Sequence, residues 1–209
     1  MGIKFSHKKS FINSRNIQGK LIFGILGTHT GAGATHFALL LCNYLSDYLG
    51  KKTAYVECFP HNELQYLEEV YGSKGNATSN YESFLLHQIH YYKNIKENKL
   101  AEIIGLGYEC IVLDLGIDLN KMKKEFIRCD RKIVITSLAI WKVKELENFM
   151  AKTELIRDKI EFNFGVPLIN NKIVKGFSKE NKLTMFSIPY EPDPFALSND
   201  TIKLFQRII

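Results

Sequence analysis

The chain has 209 residues, a formal net charge of +6 and 45% apolar residues. That is the length of one α/β domain with enough apolar material for a full core, which excludes a disordered tail. The longest uncharged apolar run, around Phe37 to Leu45, is too short to span a bilayer, and the start of the chain shows no apolar segment with a small-residue cleavage site, so no signal peptide is expected.

Residues 1–19 form a basic arm with Lys4, Lys8, Lys9 and Arg15, and Lys20 follows without an intervening acid. Two readings are open: a solvated arm, or a contact with an anionic surface, either membrane or nucleic acid. The arm has no aromatic interleaving and no nucleic-acid motif, so sequence-specific DNA binding is not expected. "KLIFGILG" reads as a buried strand, and residues 34–49 as a helix ended by Gly50. "KTAYVEC" is a second strand, and "HNELQYLEEVYG" a helix opened by Pro60 and closed by Gly72. "SKGNATSN" is loop, and residues 81–98 are expected to be helical. "YECIVLDLG" is a strand, 119–128 a helix, "KIVITS" a strand and 141–157 a helix. "FNFGVPLIN" and "LTMFSIPY" are two further strands. "SNDTIKLFQRII" is a final helix capped by Ser198 or Asn199.

Strands apolar throughout, alternating with helices, predict an α/β fold of three layers: a mostly parallel sheet of about seven strands with helices on both faces. Residues 20–209 form a single domain behind the arm. Such sheets bind ligands beyond the carboxyl ends of their strands. The stretch "GTHTGAGATH", Gly27 to His36, lies at such an end, between a strand and a helix. Backbone N–H groups converging on a helix N-terminus favour a phosphate there. Gly31 and Gly33 supply backbone freedom, and Thr35 stands where a hydroxyl ligates magnesium. Relative to the phosphate loop GxxxxGK[ST], Ala34 takes the lysine position and Thr28 the first glycine. The plainer alternative is a tight turn that holds no ligand.

Motifs elsewhere bear on that choice. "THTGAGAT", "YVECFPHN", "CIVLDLG", "CDRKIVITSLAIWKVKE", "FNFGVPLINN" and "FSIPYEPDPFALSND" follow in order along residues 20–205. Together they resemble the MinD/ParA family of deviant Walker ATPases, a SIMIBI-class branch of P-loop proteins, with the TadZ/CpaE pilus-localising branch the most similar. The resemblance places the family's signature lysine, which crosses a dimer interface to the partner's phosphates, on His29, and its second lysine on Ala34. The second acid of the family's D-x-D-like motif falls on Phe59, with Glu57 as the first. Asp114 falls near magnesium, Gly116 in the following switch, and Asn170 or Asn171 on the adenine contact. The resemblance therefore implies ATP or ADP with Mg²⁺, contacted by Thr28, His29, Thr30, Gly31, Ala32, Gly33, Ala34, Thr35, His36, Asn170 and Asn171. Thr35 and Asp114 are the implied metal residues, and no catalytic residue is expected.

Phosphoryl transfer depends on positioning and on neutralising developing charge. Ala34 supplies no charge, and Phe59 cannot orient a water. The expectation is a catalytically impaired nucleotide-binding scaffold that positions or assembles a pilus or secretion machine. It would act as a cytoplasmic homodimer at the inner face of the membrane, with partners in that machine and weak contact to anionic lipid. A slow but genuine ATPase and a purely structural subunit with an empty loop are the alternatives.

Other features have plainer readings. The four cysteines, Cys42, Cys58, Cys110 and Cys129, form no CxxC pair and read as buried thiols. The sequons at Asn76 and Asn199 would matter only in a secreted protein. His87 and His90 lie three apart on the expected 81–98 helix, without further metal ligands. Glu68 and Glu69 point in different directions on a helix and form no carboxylate pair. Trp141 is expected to pack where its helix begins, with contact to a partner as the alternative. In "TIKLFQRII", Ile202, Phe205 and Ile209 form one apolar stripe, opposed by Lys203 and Arg207. That suits a membrane-surface helix, but Leu204 and Ile208 add a second apolar side, as docking on the core requires.

Overall fold

The computed structural model describes residues 19–59, 63–71, 81–157 and 160–209. The expected arm up to residue 18, with Lys4, Lys8, Lys9 and Arg15, lies outside them, as do Pro60, His61, Asn62 and residues 72–80, which include the expected loop "SKGNATSN".

The strands are β1 (Leu21–Gly27), β2 (Thr53–Glu57), β3 (Ser83–Leu86), β4 (Ile89–Tyr92), β5 (Cys110–Asp114), β6 (Arg131–Ile135), β7 (Asn163–Pro167) and β8 (Thr184–Ile188). The helices are α1 (Ala34–Asn43), α2 (Glu63–Tyr71), α3 (Glu97–Gly105), α4 (Leu119–Arg128), α5 (Val143–Arg157), α6 (Asn171–Asn181) and α7 (Asn199–Ile208). One open sheet runs β3-β4-β2-β5-β1-β6-β7-β8, and every pairing is parallel except β3 with β4.

The central strands are apolar on both sides because helices cover both faces. Phe37, Leu40 and Leu41 of α1 and Leu204 and Phe205 of α7 fill one core. Ile103 of α3, Met122 and Phe126 of α4 and Leu146 and Phe149 of α5 fill the other. The three-layer, mostly parallel architecture expected from the sequence is the one observed, with eight strands.

The extra strand pair corrects the helix expected over residues 81–98. There β3 and β4 form a hairpin in which Phe84 stacks on its cross-strand neighbour Tyr91, with ring centroids 5.0 Å apart. The two-residue turn places His87 (φ 46°) and Gln88 (φ 63°) in left-handed conformation. Such a turn is usually announced by Asn or Gly, and without them the apolar run passes for a helix. The chain then enters α3 at Glu97, and α6 stands in a stretch given no element above. At the other end of α1, the backbone widens into a π-helical turn over Tyr44–Tyr48 before Gly50 (φ 66°) ends it.

All four cysteines are buried as free thiols. Burial raises the Cys110 thiol to about 11 and the Cys129 thiol to about 12, and lifts Cys42 and Cys58 well above their usual range. Ellman's reagent at pH 8 should therefore label none of them in the folded protein and all of them in denaturant. The pH sign follows from the raised values. The stability linked to Cys110 and Cys129 is complete below the ordinary thiol range and is lost as pH rises through about 11 and about 12.

Candidate nucleotide site

β1 lies at the centre of the sheet, and the loop that follows it, residues 28–33, opens at the carboxyl ends of the parallel strands. Its start is pinned twice. Thr28 N donates to Ile135 O (2.9 Å), and Thr28 Oγ1 to Thr136 Oγ1 (3.0 Å). Gly31 (φ 78°) and Gly33 (φ 93°) take left-handed conformations that a side chain would strain. Gly33 is also the N-cap of α1, and the first bond into the helix runs from Phe37 N to Gly33 O (2.9 Å). The N–H groups of Ala34, Thr35 and His36 therefore have no helical partner, and no acid stands in the first turn. A helix end of this kind favours an anion.

The two implied metal residues meet. Thr35 Oγ1 donates to Asp114 Oδ2 at 2.7 Å. Asp114, 1% exposed at the end of β5, also accepts from Tyr55 OH at Oδ2 (2.7 Å) and from Gly116 N at Oδ1 (3.1 Å). Burial first, then the Asp114 charge and hydrogen bond, pushes the Tyr55 phenol well up, so it stays a donor. A hydroxyl and a carboxylate are the hard oxygen donors Mg²⁺ takes, and Thr35 Oγ1 keeps its lone pairs while donating. The residues present therefore fit Mg²⁺ beside a phosphate. Tyr55 and Thr136 were not singled out in the sequence; a tyrosine inside an apolar strand was the available signal, since its buried hydroxyl must find a partner.

The three positions that the resemblance assigns to charged groups carry none of the expected lysines or acid. Ala34 is buried with the core cluster under α1. Phe59 has Lys121 Nζ 5.7 Å from its ring centroid, and that ammonium also lies 3.5 Å from Asp118. His29 is buried; its Nδ1–H donates to Thr30 O (2.8 Å), and its buried Nε2 has no partner among the described residues. Glu57, also buried, accepts from Asn94 N (3.0 Å). The His36 ring bonds Glu191 O (2.7 Å), which leaves its backbone N–H for the loop. Asn170 caps α6 by accepting from Lys172 N (2.8 Å), and exposed Asn171 follows at the same carboxyl edge.

The histidine pair and the tryptophan need correction. His87 lies in the hairpin turn against the Phe195 ring, and His90 on β4 against Tyr108. Among the described residues no group of three His, Cys, Asp or Glu could hold a metal ion. Trp141 does not pack: it is 80% exposed, beside Ile140 at 90%. The reason is that α5 begins only at Val143, so the turn after β6 carries both side chains outward. Leu168 after β7 and Tyr190 after β8 are exposed as well.

A Borrelia burgdorferi plasmid partition protein bound to AMPPNP superposes with a TM-score of 0.63 at 16% identity, covering 91% of this chain and 97% of its own. A ParA family ATPase from Chlorobium tepidum TLS gives 0.62 at 12% identity, covering 90% and 93%. The chain has the MinD/ParA fold. MinD of Aquifex aeolicus superposes at 0.61 with 17% identity, covering 82% and 83%. No protein-family model matches the sequence, and no curated protein does. Within that fold, the loop after β1 and the end of β5 stand together through the contact of Thr35 with Asp114. Among the described residues no helix is long and apolar enough to cross a membrane.

Proposed function

We propose that this chain is a nucleotide-binding, catalytically impaired MinD/ParA-like scaffold of the TadZ/CpaE kind. It would position or assemble a pilus or secretion machine at the inner face of the membrane, from the cytoplasm. The observation that carries this is the split in the site. Thr35 and Asp114 are in contact at 2.7 Å, whereas Ala34 and Phe59 replace charged groups of the family pattern. Binding needs the first pair and the helix N-terminus; turnover needs the others. Titration with a fluorescent ATP analogue tests it: saturable binding strengthened by Mg²⁺ and reduced at least about tenfold in Thr35→Ala is expected. No binding with or without Mg²⁺ supports the empty-loop reading instead.

One observation favours a second reading, a slow ATPase. The His29 ring is held by Thr30 O, with Nε2 unpartnered. The imidazole is thereby fixed in place with one ring nitrogen left to meet a bound ligand.

The scaffold is proposed to be a homodimer. Ile140, Trp141, Leu168 and Tyr190 form an apolar rim at the carboxyl edge that holds the loop. Because His29 removes the family's cationic bridge, dimerisation should rest on this rim and need no nucleotide. Light scattering at tens of micromolar is expected to show a dimer without ATP, and Trp141→Ala to weaken it by about thirtyfold or more. A monomer that dimerises only on adding ATP contradicts this.

A further inference from the structure

A second cavity lies away from the nucleotide site. Its wall begins at Asn43, eight residues beyond Thr35 on one continuous helix, roughly 12 Å along the axis. The cavity holds about 200 Å³ and is lined by Asn43, Asp47, Tyr48, Phe195, Leu197 and Ile202. It sits on the π-helical turn, where Leu49 N reaches back to Tyr44 O (3.0 Å). Turns of that kind recur at functional sites.

The polar lining is specific. Asn43 is 1% exposed, and its Nδ2 donates to two carbonyls, Leu39 O (3.0 Å) and Pro194 O (2.9 Å). Both partners are acceptors, which fixes the amide orientation. Oδ1 is therefore a true acceptor, buried and without a partner among the described residues. Leaving it so carries a desolvation cost. Asp47, at the cavity edge, is exposed and has no hydrogen bond or ion pair among the described residues. Tyr48 OH already accepts from Gln206 Nε2 (2.9 Å). The cavity thus presents a carboxylate between two aromatic rings and two aliphatic side chains, with the Asn43 amide as its buried wall.

We propose that this cavity receives one arginine side chain of a partner protein. A guanidinium brings donors for Asp47, stacks its plane on Phe195 or Tyr48, and lays its stem on Leu197 and Ile202, above the Asn43 amide. The occupant belongs to a protein because the apolar surface continues past the cavity. Tyr71 packs on Phe195 (5.8 Å) while 58% exposed, and Tyr66 and Val70 on the same helix are 65% and 70% exposed. An arginine anchor within an apolar surround is a common form of protein interface hot spot.

The test needs no nucleotide, so it stands apart from the nucleotide reading. The full chain, isotope-labelled, is titrated with N-acetyl-arginine methylamide, following the Asn43 side-chain amide and the Phe195 and Leu197 backbone amides by NMR. Saturable shifts confined to the cavity are expected, with a dissociation constant on the order of millimolar for so small a probe. The neutral isostere N-acetyl-citrulline methylamide should bind at least tenfold more weakly. Asp47→Asn, at an exposed position that leaves the fold intact, should weaken the arginine probe to a similar degree and leave the melting temperature unchanged. Citrulline matching arginine, no saturable shift at the Asn43 amide, or arginine binding untouched by Asp47→Asn each overturns the proposal.

Discussion

Replacing Phe205 by alanine should lower stability by about 3–5 kcal/mol. For a domain of this size that is a fall of roughly 10 °C in melting temperature. Phe205 is fully buried, 5.6 Å from the Phe37 ring and 5.0 Å from the Tyr44 ring, at the centre of the α1 face. The helix that carries it is locked at both ends. Ser198 caps it by accepting from Thr201 N (3.3 Å), and Glu191 Oε2 accepts from Ser198 N (2.7 Å) and Thr201 Oγ1 (3.0 Å). At the far end Gln206 reaches Tyr48. Ile202, Ile208 and Ile209 are half-buried against the same core, so α7 keeps no apolar stripe for lipid. The docked reading of "TIKLFQRII" is the one observed. Deleting residues 201–209 should then lower the melting temperature at least as far as Phe205→Ala. It should leave co-sedimentation with anionic liposomes as it was. An unchanged melting temperature with lipid binding abolished would restore the membrane reading.

Why α7 was legible and the β3–β4 hairpin was not comes down to how many local signals agreed. For α7, a cap residue and an apolar stripe agreed on a helix, and the second apolar side of Leu204 and Ile208 indicated docking. α4 was legible over the residues expected, 119–128, although its cap Asp118, which accepts from Asn120 N and Lys121 N, was not singled out. The hairpin offered only apolar periodicity, and its His87-Gln88 turn adopts left-handed backbone without the residues that advertise it. α6 escaped because its interior holds Gly176, and among its residues only Val174 is fully covered. Within the site, the chain order of loop and strand end brought Thr35 and Asp114 together as motifs, since both follow central parallel strands. The third donor, Tyr55, could not be placed that way. Its contact with Asp114 depends on β2 pairing with β5, which is a tertiary fact. Trp141 was misjudged because burial is the ordinary fate of a lone tryptophan, and only the late start of α5 turns it outward.

Purified protein should release no phosphate from ATP above the level of a Thr35→Ala control. The expected loss follows from missing charge. The family pattern has two loop lysines and a switch acid; here those positions are His29, Ala34 and Phe59. Losing one group that stabilises transition-state charge costs about 10²–10³ in rate. Lys121 is the cation beside Phe59, but it is held 3.5 Å from Asp118 and stacked over the ring. Ala34 faces the core under α1, so Ala34→Lys alone would have to turn a lysine out of packed surroundings while Phe59 still left the attacking water unoriented. That single reversion should therefore leave turnover at the control level. Adding His29→Lys to it should tighten nucleotide binding more than it raises turnover, because two restored cations act on bound phosphate while the switch acid is still missing. Steady-state phosphate release and analogue affinity, measured on the same four proteins, separate these effects. Turnover by the natural chain at a rate typical of active MinD/ParA ATPases, abolished by Asp114→Ala, would show that His29 or a partner subunit supplies the missing charge, and the impaired-scaffold reading would fall with it.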